Sequence, residues 1–311
     1  MLLNVVLIVI GVALVLWGAD RLTEGASALA LRMNVPEIII GLTIVAAGTS
    51  APELFVSLVS ALKDTPDMAV GNVVGSNTMN SMLIVGCAAV VAPMVISRST
   101  VRKDIPFAVG ASLLLLLLMF DGNLSQFDGI LLLLGFTSFM AYTLRQAKTQ
   151  GTASETDGAT KQQKPWLSVL YIVFGLAGLV FGSNLFVDSA SAVAYSLGIS
   201  EAVVGLTIVA GGTSLPELAT SVVAARKGQS AIAIGNVIGS NVFNILLILG
   251  MTATISPLEI EGITTIDMAV MLLSVSLVWL FSFTRFTVER WEGAVLVVGY
   301  LVYLSWLISS L

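Results

Sequence analysis

One stretch of sequence occurs twice, and it constrains what this chain can fold into more than any other feature. The first copy is GLTIVAAGTSAPEL at residues 41–54, and the second is GLTIVAGGTSLPEL at residues 205–218. Twelve of the 14 positions are identical, at a constant offset of 164 residues. Each copy places one acidic residue, Glu53 or Glu217, in an apolar segment that Gly, Thr, Ser and Pro interrupt. The fold must therefore accommodate two carboxylates at equivalent positions of two related halves.

The composition indicates which solvent surrounds these segments. Hydrophobic residues make up 57% of the chain, charged residues make up only 11%, and the mean hydropathy is +0.98. Soluble domains have about 25% charged residues, so this chain has too few polar groups to cover a globule in water and must lie in lipid. A single cysteine, Cys87, excludes an internal disulfide, and the absence of histidine from the sequence excludes imidazole as a metal ligand.

Runs of apolar residues predict ten membrane-spanning helices, because one span needs about 20 such residues. Their approximate limits are 2–31, 38–62, 68–92, 104–120, 126–145, 167–195, 202–225, 231–255, 266–283 and 290–309. The first run has no basic leader and no small-residue cleavage site, so we interpret it as a retained span rather than a signal peptide. The sequence thus predicts an all-α polytopic membrane protein.

The repeat extends over both halves of the chain. GNVVGSNTMN at residues 71–80 matches GNVIGSNVFN at residues 235–244 with the same offset of 164. Each half contains five predicted spans, and the polar stretch between them has the Gly, Ser, Thr and Gln content that is typical of a flexible linker. We therefore predict a first five-helix repeat at 1–145, a cytoplasmic linker at 146–165 and a second five-helix repeat at 166–311.

The charges of the loops predict that the two repeats are inverted relative to each other. Because each repeat has an odd number of spans, the second must enter the membrane from the opposite side. The loop RSTVRK at 98–103 is basic, whereas its counterpart GITTID at 262–267 has no basic residue. With both termini outside, 12 of the 14 Lys and Arg residues fall in or beside cytoplasmic loops, which is the usual bias. Inverted repeats are typical of secondary transporters, and we expect an integral protein of the inner or plasma membrane of the cell.

The two glutamates require an explanation, because a charge at the centre of a membrane helix costs about 2.5–3.5 kcal/mol. One explanation is helix capping, since Ser50 and Glu53, like Ser214 and Glu217, have the spacing of a capping box. Capping alone does not explain why a helix should break in the middle of a membrane. We therefore favour an ion-binding role for both glutamates.

Helical spacing places further polar residues near the two glutamates. Thr49 and Glu53 share one face of the second predicted span, and Asn72, Ser76 and Asn80 share one face of the third. Both rows recur in the second half, and such rows can also hold helices together in lipid. This second explanation is as good as ion binding for four asparagines: Asn72, Asn77, Asn236 and Asn241.

All of these candidate ligands offer oxygen, from carboxylates, hydroxyls, amides or backbone carbonyls. Calcium takes about 6–8 oxygen ligands in flexible geometry, and two carboxylates neutralise one divalent cation. The same oxygens can bind sodium, whereas zinc and copper prefer nitrogen and sulfur ligands. The pattern thus predicts a site for a hard cation, and such a site could serve Ca²⁺ and Na⁺ in turn.

The motifs GTSAPEL and GTSLPEL, together with GSNTMN and GSNVFN, resemble the two alpha-repeats of the sodium/calcium exchanger family, within the cation/calcium antiporter superfamily. The resemblance covers both halves and implies that Glu53 and Glu217 are the central metal ligands. It implies further oxygen ligands, from side chains or backbone carbonyls, at ten residues: Thr49, Ser50, Thr213, Ser214, Ala46, Ala210, Ser76, Asn80, Ser240 and Asn244. Many relatives have aspartate at the position of Asn80 or Asn244, so the two asparagines leave the ion stoichiometry open.

These observations predict a sodium/calcium antiporter that exports Ca²⁺ against Na⁺ entry by alternating access. We expect no cofactor besides the transported ions, no nucleic-acid partner, and a functional monomer in the lipid bilayer. A calcium/proton antiporter on the same fold is the nearest alternative, and a cation channel, which needs a continuous pore, is another. An enzyme is not expected, because the sequence contains no histidine and neither an HExxH nor a GxSxG motif.

Overall fold

The computed structural model describes residues 1–150, 165–198 and 210–309, which are mostly helical. The helices follow in this order: α1 Leu2–Met33, α2 Glu37–Thr49, α3 Ala51–Leu62, α4 Pro66–Val91, α5 Thr100–Asp121, α6 Gln126–Gln150, α7 Pro165–Ser196, α8 Ala210–Thr213, α9 Leu215–Arg226, α10 Ser230–Ile255, α11 Thr265–Ser282 and α12 Arg290–Ser309. The strands of the described chain have two residues each: β1 Met94–Val95, β2 Asn123–Leu124, β3 Leu258–Glu259 and β4 Thr287–Val288.

The helices have the lengths that a membrane protein requires. Within the described residues, eight helices are long and apolar enough to cross a membrane, and α2 and α3 form one further candidate span with a 47° bend. This confirms the predicted all-helical membrane fold. The predicted span 202–225 falls partly on residues 199–209, which lie outside the described part, and only its later portion is seen as α8 and α9. The total of ten spans therefore stays a prediction.

The connection between the two halves also lies largely outside the described residues. α6 continues to Gln150, beyond the predicted boundary at residue 145, and α7 begins at Pro165. Residues 151–164 of the predicted linker are not described. The division into two repeats and a linker accordingly stays a prediction.

α4 and α10 occupy the centre of the bundle. In the most apolar 18 residues of each helix, 94% are buried in α10 and 78% in α4, compared with 22% in α1 and 17% in α12. The outer helices present Leu, Val and Phe side chains outward, as expected where lipid tails replace water. The polar rows of α4 and α10 thus lie inside the protein, where each polar group needs a partner.

The helices that carry the sequence motifs are locally irregular. Wide turns with π-type hydrogen bonding occupy Gly41–Val45 in α2, Asn80–Ile84 in α4 and Phe243–Leu249 in α10. Such turns interrupt regular α-helix and are frequent at functional sites. The bend after α2 is explained by Pro52, whose ring is incompatible with an uninterrupted helix and which stands in the first turn of α3.

α1 and α7 pack along each other through glycines. A Cβ atom on Gly18 would lie 2.6 Å from the carbonyl oxygen of Gly175, and a Cβ atom on Gly182 would lie 2.8 Å from that of Gly11. Only glycine permits helix backbones to approach so closely. Gly11 and Gly175 are related by the offset of 164, as are Gly18 and Gly182, so the two contacts are equivalent in the repeat.

The short strands connect distant loops in two antiparallel pairs. β1 pairs with β4, with Met94 opposite Val288, and β2 pairs with β3, with Leu124 opposite Leu258. Adding 164 to the residue numbers of β1 gives those of β3, and adding 164 to those of β2 gives those of β4. The two strand pairs are therefore equivalent in the repeat and have the same register. The residues that are equivalent in the sequence repeat thus also make equivalent contacts in the structure.

Candidate cation-binding site

Glu53 and Glu217 reach the centre of the bundle because each stands in the first turn of a helix that follows a break. α3 begins after Ser50 and α9 begins after Ser214, and each has a proline at its start. Proline suits this position, since the first turn needs no backbone N–H donor. The two glutamate side chains are only 1% and 0% exposed. The same local motif, a helix start with proline after a break, therefore places each carboxylate in a buried position.

The serines at the two breaks bring the glutamates into one site. The Ser50 hydroxyl donates to Oε1 of Glu217 at 3.0 Å, and the Ser214 hydroxyl donates to Oε1 of Glu53 at 3.2 Å. Neither serine side chain caps its own helix. The capping-box explanation is therefore wrong for these serines, because each hydroxyl serves the glutamate of the other half.

The threonines that precede the serines extend this network. The Thr49 hydroxyl is within hydrogen-bond distance of two acceptors, the carbonyl of Val45 in α2 at 3.1 Å and Oδ1 of Asn236 across the bundle at 3.0 Å, and its single proton can be donated to either. The Thr213 side chain interacts with the Glu53 carboxylate, and that of Thr49 interacts with Glu217. Both threonines thus lie next to the glutamates.

The alanines predicted to offer carbonyl oxygens lie one turn before the breaks. Ala46 is fully buried, and its carbonyl accepts the backbone N–H of Ser50 at 3.0 Å. The Thr49 hydroxyl also lies 3.3 Å from this carbonyl oxygen. Ala210 is the first residue of α8.

The serines of α4 and α10 contact the same two breaks. Ser240 donates to Oε1 of Glu217 at 3.4 Å, and the hydroxyl of Ser76 lies within hydrogen-bond distance, 3.3 Å, of the Ser214 hydroxyl. Ser76 is 5% exposed and Ser240 is fully buried. The structure therefore brings residues from the breaks, from α4 and from α10 into one polar cluster.

Asn80 of α4 and Asn244 of α10 also belong to this cluster, and each forms a hydrogen bond with the opposite helix. Asn80 donates through Nδ2 to Oδ1 of Asn241 at 3.1 Å, and Asn244 donates through Nδ2 to Oδ1 of Asn77 at 2.9 Å. These two bonds are related by the offset of 164. Each amide thus uses its NH₂ group on the opposite helix and keeps its oxygen for another contact.

Four oxygens of the cluster are buried and have no hydrogen-bond partner among the residues that the structure describes. They belong to both halves: Glu53 Oε2, Glu217 Oε2, Asn80 Oδ1 and Asn244 Oδ1. Leaving a buried acceptor without a partner costs about 1–3 kcal/mol, and more for a charged group, so such atoms in a native protein need an explanation. A cation with oxygen ligands provides one, because carboxylate and amide oxygens are both suitable ligands and the cation compensates the charges of the two carboxylates.

The donor set suits a hard cation and no softer metal. Within the described ranges, there is no cluster of three or more His, Cys, Asp or Glu side chains that could hold a metal. The cluster instead combines two carboxylates with amides and hydroxyls. These are ligands for Ca²⁺ or Na⁺, which the proposed protein would carry as substrates.

Asn72 and Asn236 have a different role from the asparagines deeper in the helices. Asn72 donates to the backbone carbonyl of Glu53 at 3.1 Å and to Ser57 at 2.9 Å. Asn236 donates to the carbonyl of Glu217 at 3.3 Å and to Ser221 at 3.0 Å. These bonds connect α4 to α3 and α10 to α9, as the helix-packing explanation predicts. They position the backbone of each glutamate.

One contact outside this cluster was not predicted from the sequence. Lys227, at the end of α9, forms an ion pair with Asp20 of α1 at 2.6 Å and donates to the hydroxyl of Thr23 at 3.1 Å. Asp20 also binds Arg21, its neighbour in α1. A signal was present, because an acidic residue so far inside a long apolar run needs a partner, but its partner is 207 residues away in the chain.

Comparison with known proteins gives matches over nearly the whole chain. The profile of the family described as sodium/calcium exchanger protein matches residues 3–145 and 167–309. The chain is 39% identical to the inner membrane protein YrbG of Escherichia coli strain K12, over 99% of this chain and 97% of that protein. It is 31% identical to the sodium/calcium exchanger MaX1 of Methanosarcina acetivorans, over 97% of each.

Two further similarities are to a putative antiporter and to a solved structure. The putative antiporter CaxA of Alkalimonas amylolytica is 36% identical to this chain over the full length of both. The solved structure of the sodium-calcium exchanger NCX_Mj soaked with 2.5 mM Na⁺ and 0.1 mM Ca²⁺ has a TM-score of 0.86 and 30% identity, and the match covers 98% of each chain.

Proposed function

This chain belongs to the sodium/calcium exchanger protein family, and from this premise we propose that it is an antiporter that exports Ca²⁺ against the entry of Na⁺. The family establishes a cation/calcium antiporter that is an integral membrane protein. The identity of the coupling ion, the residues that bind it and the arrangement of the chain in the membrane are the parts that we propose.

The observation that carries the proposal is the buried cluster around Glu53 and Glu217, with its four unpartnered oxygens. Two carboxylates in a site of low dielectric repel each other strongly, and one Ca²⁺ between them compensates both charges. The remaining oxygens come from the amides of Asn80 and Asn244 and from the hydroxyls that surround the breaks. All twelve residues selected from the sequence are proposed ligands on this basis.

Sodium as the coupling ion is supported by the chemistry of the same cluster. Coupling to protons requires a group in the site that changes its protonation state during transport. Only Glu53 and Glu217 can do so in this cluster, because Asn80 and Asn244 do not titrate and the sequence has no histidine. The hydroxyl, amide and carbonyl oxygens, in contrast, are suitable ligands for a monovalent cation. The MaX1 relative is named a sodium/calcium exchanger.

We propose further that ten spans form two inverted repeats of five, at 1–145 and 166–311, with both termini outside and the linker 146–165 in the cytoplasm. Loop charge places β1 and β4 in cytoplasmic loops and β2 and β3 in outer loops. The observed pairs, β1 with β4 and β2 with β3, each join loops on one side and support this arrangement. Because one chain supplies both halves of the site, a monomer suffices for transport.

The test is radioactive Ca²⁺ uptake into proteoliposomes that contain the purified protein, with one gradient imposed at a time. We expect uptake when a Na⁺ gradient is imposed at equal pH on both sides, and none with a pH gradient in Na⁺-free buffer. Uptake driven only by the pH gradient would establish a calcium/proton antiporter instead. Ca²⁺ conductance without any counter-ion would identify a channel.

A further inference from the structure

We propose that Asn77 and Asn241 are positioning residues that orient the amides of Asn244 and Asn80, so that an oxygen rather than an NH₂ group faces the transported cation. This inference rests on the proposed function, because it assigns a role to residues that contact the proposed ligands. It concerns two asparagines for which the sequence left helix packing and ion binding equally open.

The need for such residues follows from the chemistry of an amide. A carboxylate has two oxygens and presents one of them to a cation in either orientation of its end group. An amide has one oxygen acceptor and one NH₂ donor, and only the oxygen can bind a cation. This chain has amides at both Asn80 and Asn244. Their orientation must therefore be fixed by other groups.

The bonds of Asn77 fix the orientation of Asn244. Nδ2 of Asn77 donates to the backbone carbonyl of Asn241 at 3.3 Å, and a carbonyl can only accept. This contact turns Oδ1 of Asn77 toward Asn244, whose Nδ2 donates to it at 2.9 Å. Oδ1 of Asn244 then remains directed away from this bond, and it is one of the unpartnered buried oxygens.

Asn241 makes the corresponding contact with Asn80. Nδ2 of Asn241 donates to the Ser81 hydroxyl at 2.8 Å, and Oδ1 of Asn241 accepts from Nδ2 of Asn80 at 3.1 Å. Oδ1 of Asn80 is again left unpartnered and buried. The four asparagines are between 0% and 2% exposed, so water does not compete for these bonds and each is stronger than it would be at a surface.

The two positioning residues act across the bundle rather than within one helix. Asn77 lies in α4 and orients an amide of α10, and Asn241 lies in α10 and orients an amide of α4. If these asparagines only held the two helices together, their replacement would affect Ca²⁺ binding equally whatever residue stood at positions 80 and 244. If they set amide orientation, the effect must depend on whether the partner position carries an amide or a carboxylate.

This difference defines the experiment. Ca²⁺ affinity is measured by isothermal titration calorimetry on the purified full chain, with monodispersity and thermal unfolding checked for each variant. Asn77→Ala is made in the native background, in an Asn244→Asp background and in an Asn80→Asp background. In the native and Asn80→Asp backgrounds, we expect Asn77→Ala to weaken Ca²⁺ binding about tenfold, equivalent to about 1.4 kcal/mol. In the Asn244→Asp background, we expect it to weaken Ca²⁺ binding by less than about twofold. Such a difference between backgrounds is the non-additivity expected for two residues in direct contact.

The mirror experiment is the matched control. Asn241→Ala should be rescued by Asn80→Asp and not by Asn244→Asp, which is the opposite pattern for a residue of the same type and burial. Where Asn77→Ala does not give a folded protein, Asn77→Ser is used, because its hydroxyl can still donate to the Asn241 carbonyl while it removes the amide oxygen.

The outcomes separate this inference from the proposed function. Equal loss of Ca²⁺ affinity in all three backgrounds, or no loss in any, would overturn the positioning role while the antiporter proposal stands. Absence of Ca²⁺ binding and Ca²⁺ flux in the native protein would overturn the proposed function, and the positioning role would fall with it.

Discussion

At the scale of single residues, the two carboxylates decide whether the cluster is an ion site. Replacing Glu53 or Glu217 with Gln preserves the size of the side chain but removes one of the two charges that would compensate Ca²⁺. At about 4 Å and an effective dielectric constant of about 20, one unit charge interacts with another by about 4 kcal/mol. We therefore expect each variant to lose Ca²⁺ flux in proteoliposomes by at least about 100-fold.

The control for this prediction is Glu259→Gln, which changes an exposed glutamate of β3 that is not part of the cluster. It should transport Ca²⁺ like the native protein. Full Ca²⁺ flux in both site variants would refute the ion-binding role. Loss of folded protein in detergent, rather than loss of transport, would instead assign the glutamates to helix structure.

The residues of the candidate site could be selected from the sequence, but their bonds could not. Ser50 and Glu53 recur as Ser214 and Glu217 within an apolar context, and this recurrence alone identifies them. The sequence offers each serine an equally plausible acceptor three residues away on its own helix. The actual acceptor lies in the other half of the chain, and only the crossing of the helices determines that choice. The same holds for the partners of Asn80.

At the scale of helices, the two halves are packed differently in spite of their similar sequences. α1 packs along α9, whereas α7 makes no comparable contact with α3 among the described residues. The offset of 164 relates α1 to α7 and α9 to α3. In the proposed alternating access, equivalent contacts would form in turn, and on that basis we interpret the packing of α1 on α9 as the contact of one state.

The ion pair between Asp20 and Lys227 holds this contact at one end. Since both side chains are about one third exposed, such a pair contributes about 0.2–1 kcal/mol. We expect Lys227→Gln to reduce the population of this arrangement by up to about fivefold. Spin labels on exposed positions of α1 and of the turn after α9, measured by double electron–electron resonance, should show a larger fraction of long distances.

The repeat provides the matched control for this variant. Lys63 occupies the equivalent position after α3, and it forms no ion pair with any residue in the part of the chain that the structure covers. Lys63→Gln should leave the distance distribution unchanged. A similar shift in both variants would mean that net charge, and not the ion pair, sets the population.

The glycine contact between α1 and α7 leads to a second prediction about helices. A side chain at Gly18 would meet the backbone of α7 at 2.6 Å, whereas a Cβ at Gly110 of α5 would have no atom within 4 Å. Gly18→Leu should therefore force the helices apart, and overpacking of this kind typically costs about 1–3 kcal/mol. We expect a lower unfolding temperature for Gly18→Leu and little change for Gly110→Leu. Equal stability of the two variants would contradict the close packing of these helices.

At the scale of the whole molecule, the helices could be predicted and the strand pairs could not. Apolar runs of sufficient length identify a span without knowledge of its neighbours. A two-residue strand leaves no alternating pattern in the sequence, and β1 and β4 are separated by nearly two hundred residues. Their pairing depends on where the fold places the loops. It therefore gives evidence on topology that is independent of the loop charges.

The strand pairs and the loop charges together predict which loops share a side of the membrane. Single cysteines at Arg98, Asp121, Glu259 and Thr284, all exposed, would be placed on a Cys87→Ser background and treated with a membrane-impermeant maleimide. In intact cells we expect labelling at positions 121 and 259, and at positions 98 and 284 only after permeabilisation.

The experiment tests two claims separately, the inverted arrangement of the repeats and the orientation of the protein in the membrane. If 98 and 284 label together, and 121 and 259 label together on the opposite side, the inverted arrangement holds whichever pair is outside. Labelling of all four from one side would exclude it, and labelling of 98 and 284 in intact cells would reverse the orientation that the basic loops predict.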